Sequence, residues 1–268
     1  MLAMEIQEGK DAMNGKAFSA TLGSGTASLL RLTSNYMGQH HIVVADSAFA
    51  SVKSASALHS NRGMGFIGLV KTATRLFPKS YLSEHPLPTR GAHVTLQATV
   101  QPQLGAPAGS SPTNVMAVAW NDNKRKLIIA SAGVSAEGPP ALKDRWRFPV
   151  GAEVPRDNGL FYFKKEVPRP HVVKDYFDNA NAIDVHNHYR QGALAMEQAW
   201  STKTWWHRLF ASATLYGMCV TDAFLAFQHF HPTQEGRNIS FREFCAAIAG
   251  VQHRRAAEGC GHSSPLQR

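Results

Sequence analysis

Apolar residues recur along this chain in two rhythms, and the rhythm changes twice. Ile42, Val43 and Val44 form a β-branched run within HIVVADSAF, the pattern of a strand buried on both faces. Residues 51 to 60 follow with Val52, Ala55 and Leu58 on one helical face, and Asn61-Arg62-Gly63 breaks that helix. GFIGLV is a second buried run. Residues 41 to 71 therefore predict strand, helix, strand, the order of a parallel βαβ unit. Upstream, AMEIQEG predicts a short strand ended by Gly9, Thr26 to Leu32 a helix, and Tyr36 to His41 a linker.

After about residue 83 the pattern becomes that of antiparallel strands. AHVTLQATVQ alternates like a half-exposed strand, and PQLGAPAGSSP is a loop. NVMAVAWND and KLIIASAG predict two strands joined through Asn121-Asp122-Asn123-Lys124 as a hairpin, with GLFYFKKEV a further strand. This stretch predicts a small antiparallel unit inserted into an α/β domain. From Val172 the helical period returns. Val173, Tyr176, Phe177 and Ala180 share a face, and Leu209, Ala213, Tyr216, Val220, Phe224 and Phe227 mark a long apolar helix. SFREFCAAIAG predicts a shorter helix, capped by Ser240 and ended by Gly250, before a disordered tail.

With 268 residues, 44% of them hydrophobic, the chain holds apolar material for one large domain or two small ones. No apolar run approaches the roughly 20 residues of a membrane span, and MLAMEIQEGKDAM lacks the basic and apolar regions of a signal peptide. Cys219, Cys245 and Cys260 are odd in number and show no CxxC spacing, which argues for a reducing compartment and against a disulfide framework. The net charge of +9 favours polyanions without naming one.

Two acids stand out by position. Asp46 ends the strongest strand, where functional groups gather in open α/β sheets; the competing reading is a cap of the following turn or helix. Asp184 lies in AIDVHNHYRQG and either meets Asp46 in space or is a solvated helix carboxylate. His186 and His188 are two apart and fall on different helix faces, so a His-based metal site is not expected.

HIVVADSAFASVKSASAL…GMGFIGLVKTATRLFPKSYL resembles the middle of the catalytic domain of piggyBac-type transposases, and VVKDYFDNANAIDVHNHYRQGALAMEQAWSTKTWWHRLFASATLYGMCVTDAFLAF resembles that family's closing block. The resemblance covers about residues 1 to 245, loosely in the middle. It implies an α/β fold with an RNase H-like core, a β-rich insertion and C-terminal helices. The expected boundaries are 1–82 for the first part of the core, 83–171 for the insertion, 172–252 for the closing helices and 253–268 for the tail.

The chemistry it implies is metal-dependent DNA cleavage and strand transfer. Three carboxylates hold two Mg²⁺ ions, which suit oxygen ligands. On that resemblance Asp46 stands for the second ligand and Asp184 for the third, and Asn187 occupies a position where a further Asp is expected. The first ligand has no counterpart: AMEIQEGKDAMNG resembles the third core strand, and Glu5, Glu8 and Asp11 lie in no segment like the first. The core is therefore expected to be incomplete, the chain inactive as it stands, and Mg²⁺ not held tightly. A Cys-rich zinc module is not matched either, since Cys260 and His262 alone do not supply four ligands.

Expected partners are DNA, bound weakly and without sequence preference, and a second copy of the chain as in transposases; no membrane is expected, and the implied location is nuclear. Lys71, Arg75, Lys79, Lys203 and Arg208 are the candidate DNA contacts, against the alternative of a solvated basic face. Trp205, Trp206 and Phe210 are expected to pack within the fold. Two alternatives remain open: a domesticated, non-catalytic DNA- or protein-binding module, and a folded protein unrelated to DNA in which both acids are incidental.

Overall fold

A computed structural model describes residues 3–36, 38, 41–103, 105–131, 141–147, 163–192, 204, 206, 217–231 and 239–259. The chain divides into a larger unit, residues 3–180, and a smaller one, residues 1–2 and 181–268.

The larger unit is built on a five-stranded sheet. Its strands are β1 (Ile42–Ala45), β2 (Gly65–Leu69), β3 (His93–Val100), β4 (Thr113–Asn121) and β5 (Arg125–Ser131), in the spatial order β1-β2-β5-β4-β3. The βαβ expectation holds. β1 and β2 are parallel, with Val43 opposite Phe66, and helix α4 (Val52–Arg62) connects them. Ser51 caps α4 by accepting from the Ser54 amide at 3.0 Å. Gly63, at φ 64°, closes it in the left-handed conformation that glycine adopts without steric penalty.

β3, β4 and β5 are antiparallel, as their alternation predicts. They do not form a separate small unit, however: β5 pairs with β2, Ile67 opposite Ala130, so one sheet runs through all five strands. The reason is visible in β4. Val115, Ala117 and Ala119 face one core, while Met116, Val118 and Trp120 face another. A strand apolar on both faces needs cover on both, which a lone hairpin does not provide. The separate two-stranded sheet is made instead by β6 (Ala141–Arg147) and β7 (Phe163–Arg169). The charge-rich ALKDRWR gives no strand signal by itself. The first residues of GLFYFKKEV lie outside the described residues.

One face of the sheet packs on α3 (Ser24–Leu32), α4 and α5 (Lys79–Glu84) through Leu30, Leu58, Phe66, Leu82 and Ile129. The other takes the first turns of α6 (His171–Gln191), whose Val172, Val173 and Tyr176 bury against Ile67, Val118, Trp120 and Ile128. The β6–β7 pair is tied to this layer. Trp120 Nε1 donates to the Pro168 carbonyl at 2.9 Å, and Gly91, at φ 94°, leaves room for Pro168, which any Cβ there would meet at 2.9 Å.

The expected N-terminal strand is absent. Residues 3–9 form no ladder, and the short helices α1 (Lys10–Asn14) and α2 (Ser19–Leu22) follow. Charge holds this segment in place of strand pairing. Glu5 receives the Arg31 guanidinium at 2.7 Å and lies 3.4 Å from Lys16 Nζ, which also pairs with Glu8 at 2.7 Å.

In the smaller unit, α7 (Val220–Phe230) and α8 (Phe241–Gly259) accompany the end of α6. Tyr189, Phe224, Phe241 and Phe244 interlock with ring centroids 5.1–5.5 Å apart. The upstream part of the expected long apolar helix lies outside the described residues. α8 starts on a reciprocal cap: Ser240 N donates to Glu243 Oε2 at 2.8 Å, and Glu243 N donates to Ser240 Oγ at 3.3 Å. It does not end at Gly250 but continues to Gly259, so the tail is helical over residues where disorder was expected. A glycine within a helix costs about 1 kcal/mol relative to alanine, too little to stop a helix that its neighbours continue.

Candidate functional site

The carboxyl ends of β1 and β2 open on the same side of the sheet because the strands are parallel. Ala45, the last residue of β1, is buried, and Asp46 follows it into solvent. Asp46 does not cap α4, since Ser51 does. Its carboxylate instead accepts from the Ser47 amide, and its carbonyl accepts from Phe49 N at 3.0 Å, so it also shapes the turn.

The β2 side contributes cations. Lys71 Nζ lies 4.0 Å from Asp46 Oδ1. Lys79, at the start of α5, donates to the Lys71 carbonyl at 2.7 Å and clasps the intervening loop. Arg75 stands exposed on that loop. Thus Asp46, Lys71 and Lys79, three of the residues singled out in the sequence, meet at one sheet end. Lys203 and Arg208 lie outside the described residues, as do Trp205 and Phe210, while Trp206 is about half exposed.

Asp184 belongs to the smaller unit. It is exposed on α6. Its neighbour His186 turns inward and places Nε2 3.1 Å from Asp222 Oδ1 on α7, whereas His188 is exposed. The two histidines diverge, as their spacing requires. The His186–Asp222 pair was not legible in the sequence, because the partners are 36 positions apart and neither sits in a motif. Asn187 is half-buried.

A two-ion carboxylate centre needs at least three acids converging on one point. Among the described residues no group of three His, Cys, Asp or Glu side chains is arranged to hold a metal ion. Of the N-terminal acids, Glu5 and Glu8 are already engaged by Arg31 and Lys16. Partial burial pushes the Glu5 carboxyl up, but the hydrogen bonds and charge of Arg31, then Lys16, outweigh it and hold it below the usual glutamate value. Among the described residues, then, no metal-dependent step follows from the acids. Cys219 is exposed, and burial pushes the Cys245 thiol up. Cys260 and His262 lie outside the described residues. No helix among the described residues is long and apolar enough to cross a membrane.

Comparison with known proteins places this geometry. The family described as Transposase IS4 matches residues 1–223. A cryo-EM structure of piggyBac transposase in a synaptic complex with hairpin DNA shares the fold, with a TM-score of 0.55 at 13% identity, covering 91% of this chain and 42% of that one. The chain thus spans less than half the length of that protein. The comparison with curated proteins returned no match.

Proposed function

Because the chain belongs to the Transposase IS4 family and shares the fold of piggyBac transposase, we propose that it is a piggyBac-type, transposase-derived DNA-binding protein whose described residues do not by themselves cut DNA. The observation that carries this reading is the exposed Asp46 at the end of a parallel strand pair, with Lys71 beside it and, among the described residues, no group of three metal-ligating side chains.

Family chemistry relies on a divalent metal held by carboxylates. We assign Asp46 and Asp184 to two of those positions, and Mg²⁺ as the ancestral ion. The core is RNase H-like, with residues 83–171 as an insertion that lends three strands to its sheet. Among the described residues β1 is paired on one side only. A core strand on its open side would bring a further carboxylate next to Asp46; without it, two divalent ions would face each other with too little negative charge between them. Lys71 Nζ, 4.0 Å from this carboxylate, adds a positive charge that favours a phosphate group nearby.

DNA is the partner, bound through phosphates and without sequence preference; a second copy of the chain and a nuclear location complete the reading. The test is equilibrium binding of the 268-residue chain to a labelled duplex across a salt series. Phosphate contacts release counterions, so affinity falls linearly with salt on logarithmic axes. Binding that is absent at low salt, or that ignores salt, rejects the DNA reading.

A further inference from the structure

β3 is an outer strand of the five-stranded sheet, paired with β4 on one side and, among the described residues, with nothing on the other. Edge strands are commonly blunted by shortness, proline or charge, because an open ladder recruits other chains. β3 has none of these devices: it runs eight residues as HVTLQATV, without proline, lysine, arginine or a carboxylate. Asn121 N donates to the Ala92 carbonyl at 2.9 Å, which fixes the alternation along the strand. Val94, Leu96, Ala98 and Val100, in step with Ala92, bond to β4, while the backbone N–H and C=O of His93, Thr95, Gln97 and Thr99 face outward. Gln97, Ala98 and Thr99 are exposed.

An apolar hollow of about 370 Å³ opens beside this edge, lined by Leu96, Ala98 and Val100 from one face of β3 together with Val52, Leu76 and Phe77. Leu76 is 68% exposed and adopts φ 67°, in the left-handed region that a leucine rarely enters. The same residue borders a second hollow, which holds Lys53 and Arg75 and no acid among its lining residues. Gln103, just beyond the end of β3, also lines that second hollow, so its charge lies at the Val100 end of the strand. Outward main-chain groups, apolar positions at every second residue and positive charge at one end thus occur together.

We propose that β3 is a docking edge for an extended segment of a partner protein, one that is apolar at alternate positions and acidic at its N-terminal end. The segment adds to the sheet as a further strand, antiparallel to β3, the more stable pairing per residue. Main-chain bonds to His93, Thr95, Gln97 and Thr99 hold it, and pockets for alternate side chains select it. Its apolar residues lie opposite Leu96, Ala98 and Val100, at the positions where facing side chains approach most closely, and they fill the hollow. In the antiparallel direction its N-terminal end reaches Lys53 and Arg75, whose charge acidic residues complement. The proposal stands on the sheet edge and does not depend on DNA binding.

The experiment is fluorescence anisotropy of the labelled peptide Glu-Asp-Val-Thr-Ile-Thr-Val with the full chain, beside the charge-reversed peptide Lys-Lys-Val-Thr-Ile-Thr-Val, at about 150 mM salt. The variants are Gln97→Pro, Ala98→Asp, Arg75→Gln and, as a charge control away from the edge, Lys124→Gln. Unfolding temperatures are measured alongside. The acidic peptide should bind about tenfold more tightly than the reversed one. Gln97→Pro removes an outward N–H and no bond to β4, and should weaken binding of the acidic peptide about tenfold at little cost to the unfolding temperature. Ala98→Asp sets a carboxylate at the hollow and should weaken the same peptide about tenfold, which keeps the test open if the proline variant does not fold. Arg75→Gln should lower the preference for the acidic peptide about fivefold, and Lys124→Gln should leave it within about twofold. An acidic peptide that does not bind, or that binds folded β3 variants as it binds the unaltered chain, overturns the proposal. Sedimentation velocity examines the other occupant: a dimer of the unaltered chain that Gln97→Pro dissolves would assign the edge to a second copy and overturn the proposal as well.

Discussion

Lys71 Nζ stands 4.0 Å from the carboxylate of Asp46, across the ends of two parallel strands that are 25 positions apart in the chain at that point. Both side chains are about two-thirds exposed. An ion pair so open to water contributes at most about 1 kcal/mol, so it adds little to the stability of the fold. Asp46→Asn and Lys71→Gln should each shift unfolding free energy by less than about 1 kcal/mol, measured by urea titration. A loss of several kcal/mol in either variant would make the pair part of the fold's foundation.

Trp120 is a contrasting case. It is fully buried between the sheet and α6, and its indole donates to Pro168. Trp120→Ala should cost about 3–5 kcal/mol. Trp120→Phe keeps most of the packing but leaves the Pro168 carbonyl without its donor, and should cost about 1–3 kcal/mol. Circular dichroism during denaturation reports both. Equal losses in the two variants would mean that the hydrogen bond to β7, not the packing, holds this layer.

Much of the core was legible before any coordinates. The β-branched Ile42–Val44 run, the spacing of Val52, Ala55 and Leu58, and the Asn61-Arg62-Gly63 stop together specify a parallel βαβ unit, because burial and helix termination are local properties of sequence. Sheet order was not legible in the same way. The hairpin through Asn121–Lys124 says that β4 and β5 pair, but nothing in it says that β5 also pairs with β2. That contact depends on which edge offers apolar cover on both faces. AMEIQEG failed as a strand for an electrostatic reason: its acids found Arg31 and Lys16, partners invisible at short range. Asp46 was legible from its place at a strand end, and Lys71, Arg75 and Lys79 from theirs after a core strand; the His186–Asp222 pair was not, since only the fold brings together residues 36 positions apart.

The ion pairs at Glu5 carry a pH signature. Its carboxyl titrates below the ordinary value of 4.5 in the folded chain. A depressed carboxyl stabilises the fold above its unfolded value, and that contribution fades as pH falls through the folded one. The unaltered chain should therefore exceed Glu5→Gln in stability at pH 6–7, and the gap should shrink as pH drops from about 4.5 toward 3. A gap that stays constant over that range would show that Glu5 acts through shape and not charge.

We propose that this chain keeps a transposase-type surface for DNA without a working cleavage centre. A supercoiled-plasmid nicking and strand-transfer assay with Mg²⁺ or Mn²⁺ tests it most directly, run on the unaltered chain beside Asp46→Ala and Asp184→Ala. Plasmid should be bound at low salt and left intact by all three proteins. Metal-dependent nicking by the unaltered chain that disappears in either variant would contradict it, and would mean that a third carboxylate completes the site.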